Sequence, residues 1–210
     1  MNDLRPSSPP CRSRRGAALV LAAVLAACAA PSPPPVLLTL PPAVTAAAPA
    51  AASAPTTPAL LAIRRVGVPE YLVARRVRYR ADASTLAEWP NTFWAERVEI
   101  GIAREFVSAL RAQLPGWALC DTTCGDQLPT LALTVDLESL DFVRSTQRLQ
   151  ARARITVSAA GAAPRVSRAT EQVYDLPAAA DTPQAQAQAM SELLRQLALA
   201  VAPMLVNVRP

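Results

Sequence analysis

From Leu149 to Val157 the chain alternates without a break, apolar at odd positions and polar at even ones. A period of two sends successive side chains to opposite faces of a strand. The chain must therefore build a sheet with one wet face and one buried face. The buried face needs a cover, and two amphipathic segments supply it. The first, from about Thr92 to Leu114, carries Val98, Ile102, Phe106, Leu110 and Leu114 at intervals of four. Its charged residues lie mostly off that stripe, and Pro115-Gly116 stops it. The second, Thr182 to Val206, places Met190, Leu193, Leu194, Leu197, Val201 and Leu205 on one side. Pro203 is expected to fray its last turn.

Further strands are read at Leu60–Val68, Val73–Arg80, a short segment at Leu86, Trp117–Cys120, Leu131–Phe142 and Val166–Tyr174. In Leu131–Phe142 the apolar parity switches after Leu137, which predicts a β-bulge near Ser139. The expected fold is α+β: a mixed or antiparallel sheet of about four to six strands, with both helices packed on one face.

The N-terminal part reads differently. Arg12, Arg14 and Arg15 precede an apolar run, Gly16 to Ala27, which ends in Leu25-Ala26-Ala27-Cys28. A basic start, a short apolar core and small residues before the cut describe a secretory signal. A cysteine at the cut makes the site a lipobox, with Cys28 acylated and first in the mature chain. A membrane-spanning anchor fits poorly, because spanning takes about 20 apolar residues and this run has twelve. Ala29 rather than Asp follows the cysteine. Under the common sorting rule this sends the lipid anchor to the inner leaflet of the outer membrane, with the domain in the periplasm.

From Cys28 to Pro58 the chain is almost all Ala, Pro, Ser and Thr, with nine prolines from Pro31 onward. Prolines withhold backbone donors and resist helix. The expected organisation is a signal over 1–27, a tether over 28–58 and one domain over 59–210. As polyproline II such a tether would reach roughly 90 Å. The apolar island Val36-Leu37-Leu38-Thr39-Leu40 inside it is read as tether, with an added strand or a partner contact as the alternative.

Composition narrows the chemistry. There are 21 arginines and no histidine, and removing residues 1–27 leaves 17 arginines against 15 acids. A nearly neutral mature chain makes no electrostatic case for nucleic acid. Without histidine there is no Ser-His-Asp or Cys-His nucleophile system. No cofactor motif is present, and a chain without lysine has no phosphate-binding Gly-x-x-x-x-Gly-Lys loop. Cys120 and Cys124 remain once Cys11 leaves and Cys28 is acylated. In an oxidising compartment they are expected to form a structural disulfide, with free thiols as the alternative. Metal binding would need more ligands than these two. Asp136 and Glu138 share one strand face, and Arg152 and Arg154 on the next strand are expected to face them as a solvated ion-pair surface.

Val66-Gly67-Val68-Pro69-Glu70-Tyr71-Leu72, then Arg80, then Trp94-Ala95-Glu96 follow one another in an order that resembles the ABC-type transport auxiliary lipoprotein family, the PqiC-like proteins. The resemblance spans about residues 60–205. It implies a non-enzymatic outer-membrane lipoprotein that partners an MCE-domain protein, an inner-membrane permease and an ATPase in lipid transport. A homo-oligomer is a further possibility. The cluster Glu70, Tyr71, Leu72, Trp89 and Trp94 is expected as a partner surface, because aromatics anchor interfaces; burial in the core is the alternative. Arg76, Arg78 and Arg80, alternate along one strand, are candidates for contact with lipid phosphate or an acidic partner; an ordinary polar face is the alternative. Two other functional classes stay open. One is a structural or regulatory outer-membrane lipoprotein that activates a periplasmic synthase or secretion assembly. The other is an independent periplasmic lipid carrier.

Overall fold

The computed structural model describes residues 33–43, 59–120, 124–160 and 165–207. Cys28 and the signal therefore lie outside the described residues. All elements below belong to the unit that begins at Pro35. In chain order they are β1 (Val36–Leu38), β2 (Leu60–Gly67), a 3-10 turn (Glu70–Leu72), β3 (Arg76–Arg80), β4 (Leu86–Trp94), α1 (Val98–Gln113), β5 (Ala118–Cys120), β6 (Leu131–Val143), β7 (Arg148–Ala159), β8 (Arg165–Pro177) and α2 (Pro183–Asn207).

The class is α+β, as expected, but the sheet has eight strands rather than four to six. Its backbone is the antiparallel meander β6-β7-β8. The free side of β6 takes two strands end to end. β2 runs parallel to its first half, and β3 joins its far end where Arg80 pairs with Val143. β5 extends the sheet beyond β2, while β4 and then β1 extend it beyond β3. The bulge in β6 falls between Leu137 and Ser139, where the apolar parity switches. α2 covers the face formed by Leu149, Ala151, Ala153, Ile155 and Val157, all buried, and α1 packs against α2 and β2. The stripe Val98, Ile102, Phe106, Leu110 and Leu114 is buried as read. Gly116, at φ 83°, takes the left-handed turn after α1. α2 passes through Pro203 and continues to Asn207, so its last turn is formed rather than frayed.

Two readings need correction. First, α1 starts at Val98, not near Thr92, because the chain from Leu86 to Trp94 is the long strand β4. Pro90 interrupts it, and Asn91 adopts φ 49°. Pairing with β3 jumps from Glu88 to Phe93 across that irregularity. A proline in mid-strand reads as a breaker in sequence, yet an irregular strand tolerates it. Second, Val36–Leu38 is a strand and not tether. It pairs in parallel with Thr92–Trp94. Leu38 and Leu40 are buried, the Ala95 N–H donates to the Leu38 carbonyl at 2.7 Å, and the Ser191 hydroxyl donates to the Pro41 carbonyl at 2.7 Å.

One buried polar group lacks a partner. The Tyr174 hydroxyl, on the helix-covered side of β8, makes no hydrogen bond among the described residues. Burial pushes its pKa up to about 12. The folded state thus holds this proton more tightly than the unfolded chain. Its contribution to stability is complete below about pH 10 and is lost as pH rises from there toward 12. Tyr174→Phe removes the unmatched hydroxyl and should stabilise the fold by about 1–3 kcal/mol. It should also flatten the alkaline loss, which thermal melts on either side of about pH 10 would show.

Candidate functional site

The residues singled out by sequence lie on the 3-10 turn, β3 and β4, and β3 and β4 meet α2. Their arrangement is a clamp. The Trp89 indole N–H donates to Gln186 Oε1 at 2.7 Å, and Gln186 Nε2 donates to the Arg78 carbonyl at 2.7 Å. That chain of bonds ties β4, α2 and β3 together. Tyr79 packs on Trp89 with ring centroids 4.9 Å apart. The Arg144 guanidinium covers both rings, at 4.9 and 4.6 Å from their centroids, and binds Asp181 and the Tyr79 hydroxyl.

Trp89, Trp94 and Leu72 are buried and cannot form the expected partner surface. Large rings at the rim of a small core contribute more by burial than by waiting for a partner. Glu70 stays exposed and Tyr71 is half-buried. The Tyr71 hydroxyl accepts the Leu140 N–H at 3.1 Å, and burial raises its pKa.

The arginine run is also engaged within the molecule. Arg80 binds Asp141 at 2.7 Å and lies 5.7 Å from the Tyr71 ring. Its hydrogen bond to Asp141 holds the guanidinium still more firmly protonated. Arg78 donates to the Tyr71 carbonyl at 2.9 Å and pairs with Glu88. Arg76 pairs with Glu88 and stacks over Phe93. The same solvated face carries further ion pairs, of which only one joins expected partners. Glu138 takes Arg154, Asp136 takes Arg65 across β2, and Arg152 turns to Glu171 on β8. Exposed pairs of this kind contribute about 0–1 kcal/mol each. Cys120 and Cys124 are joined as a disulfide, their Cα atoms 5.2 Å apart. Among the described residues no group of three or more His, Cys, Asp or Glu side chains gathers as a metal site.

What the clamp leaves open is a groove of about 670 Å³ between β2 and the outer side of α1. Its apolar lining includes Ile63, Val66, Ile100 and Val107. Ile100 is 51% exposed. Arg65 and Arg104 at the groove are paired with Asp136, Glu96 and Glu105. Arg64 and Arg111 have no ion-pair partner among the described residues. The sequence reading missed this groove. Its signal was a second helical row, Ile100, Ala103, Val107 and Arg111, beside the buried stripe.

The family model described as the ABC-type transport auxiliary lipoprotein component matches residues 39–202, from the end of β1 into α2. The chain belongs to that family. This auxiliary lipoprotein is thereby associated with ABC-type transport. No curated protein sequence matches it. Its fold is similar to two solved structures. One is the crystal structure of an uncharacterized protein, with TM-score 0.66 and 16% identity over 82% of this chain and 99% of the other. The second is protein XCC0632 from Xanthomonas campestris, of the DUF330 family, with TM-score 0.61 and 13% identity over 81% of this chain and 91% of the other. At these identities the likeness is one of fold. The auxiliary lipoprotein shares their architecture, and its clamp and groove are described from its own residues.

Proposed function

We propose that this auxiliary lipoprotein is a non-enzymatic outer-membrane subunit of an MCE/ABC-type lipid transport system, acylated at Cys28, with its domain in the periplasm. The observation that carries the reading is the family match across residues 39–202. An MCE-domain protein is the direct partner, and the permease and ATPase supply the energy from the inner membrane. The β2/α1 groove suits docking of that partner through an acidic segment with an apolar side. Ile100 and Val107 would take its apolar residues, and the unpaired Arg64 and Arg111 its carboxylates.

The test is recovery of the full lipoprotein from crosslinked envelopes, followed by mass spectrometry of what accompanies it. The expected result is an MCE-domain protein with its permease and ATPase. Arg64→Glu with Arg111→Glu should reduce that recovery several-fold while leaving the melt unchanged, since neither side chain makes an ion pair among the described residues. Recovery of a cell-wall synthase or secretion component, with no MCE protein, would overturn the reading.

A further inference from the structure

We propose that the β1 edge of the sheet is the membrane-facing edge of the domain, with β1 lying against the bilayer surface. The inference rests on the reading that Cys28 carries the lipid. Seven residues, Ala29 to Pro35, separate that cysteine from β1. Eight Cα–Cα steps span about 28 Å at most when fully extended. A folded chain of this size has a radius of gyration of about 15 Å, hence a diameter near 40 Å. The lipid anchor is therefore a leash shorter than the domain is wide, and it is attached at one edge.

Across the sheet, β8 is five strand spacings from β1, through β4, β3, β6 and β7. Those spacings amount to about 24 Å. A leash of this length holds β1 within about 28 Å of its lipid, while β8 can lie about 24 Å farther away, so β1 is the edge kept nearer the headgroups.

The side chains at that edge suit the placement. Val36 and Leu37 are 42% and 56% exposed at the edge itself; Val73, 43% exposed, lies one strand inward, past β4, beside Trp94. Arg75, in the same hollow as Val73, has no ion-pair partner among the described residues and is free for a lipid phosphate. An apolar edge strand in water invites pairing with another chain. Here Pro33–Pro35 precede β1, and Pro41 and Pro42 follow it closely. Prolines deny the donors that an added strand would need. A lipid surface, which asks for apolar and cationic side chains and not for backbone donors, suits this edge better than a second strand.

The test uses the full acylated protein in vesicles of phosphatidylethanolamine and phosphatidylglycerol containing a nitroxide-labelled phospholipid. A fluorophore is attached at Leu37→Cys or, separately, at Val173→Cys on β8, where the native side chain is 70% exposed. Cys120 and Cys124 are closed as a disulfide and do not take the label. Quenching at position 37 should exceed that at 173 several-fold. Equal quenching, or more at 173, in protein whose intact mass shows acylation at Cys28 overturns the edge assignment while the anchor reading stands. An unacylated mass, or a Cys28→Ser variant that stays on the vesicles, removes the anchor itself and with it the leash.

Discussion

Trp89→Ala should cost about 3–5 kcal/mol of unfolding free energy, the range for deleting a large buried ring. The indole is 5% exposed and packs between Tyr79 and Phe142, with ring centroids at 4.9 and 6.3 Å. Its loss also strips the donor from Gln186, whose side chain is buried on α2. Leaving that acceptor unmatched, worth about 1–3 kcal/mol by itself, places the expected cost toward the top of the range for a large buried ring. Domains of this kind hold only about 5–15 kcal/mol in total. In a thermal melt followed by circular dichroism the variant should fall by about 10–20 °C. Trp89→Phe keeps most of the ring but not the N–H, and should lie between the two. A melt unchanged by Trp89→Ala would return this residue to the surface role first read for it, and the clamp with Gln186 would have to be abandoned.

The second large effect concerns the N-terminal side of the fold. A chain truncated to begin at Ala59 should melt far below one beginning at Pro33, although both contain the whole of 59–210. The difference is Leu38 and Leu40, 8% and 5% exposed, together with the β1–β4 pairing and the Ser191 bond to Pro41. Leu40 also packs near Gly101 on α1. Losing two buried leucines amounts to about 4–10 kcal/mol if each costs the usual range. Leu38→Asp in the longer chain should reproduce much of the loss by placing a carboxylate against Trp94 and the helices. Equal melts for the two lengths would show that residues 33–43 add nothing, and the leash argument would fail with them.

What could be read in advance follows from how local each signal is. The strand β7 and the two helix stripes were legible because their periods of two and near four are carried by neighbouring residues. The bulge in β6 was legible for the same reason, since a parity switch is written within a few positions. β4 was not, because Pro90 and Asn91 break its pattern and only pairing with β3 and β1 holds it extended. β1 was not, because four apolar residues and a threonine among prolines have no period to read. Trp89 and Trp94 were visible as an aromatic cluster, but a ring carries the same letter in a core and at an interface. Gln186, ninety-seven residues away, decides which it is for Trp89.

Residues alone therefore determined the class: a one-sided sheet and two covering helices. Tertiary structure decided the side on which each ambiguous residue falls. It buried Trp89 and Trp94, paired Arg76, Arg78 and Arg80 with acids, drew Val36–Leu38 into the sheet, and opened the groove over Arg64 and Arg111. The physical reason is range. Periodicity is set by backbone geometry within a few residues, whereas burial and charge pairing depend on contacts between segments that only the folded chain brings together.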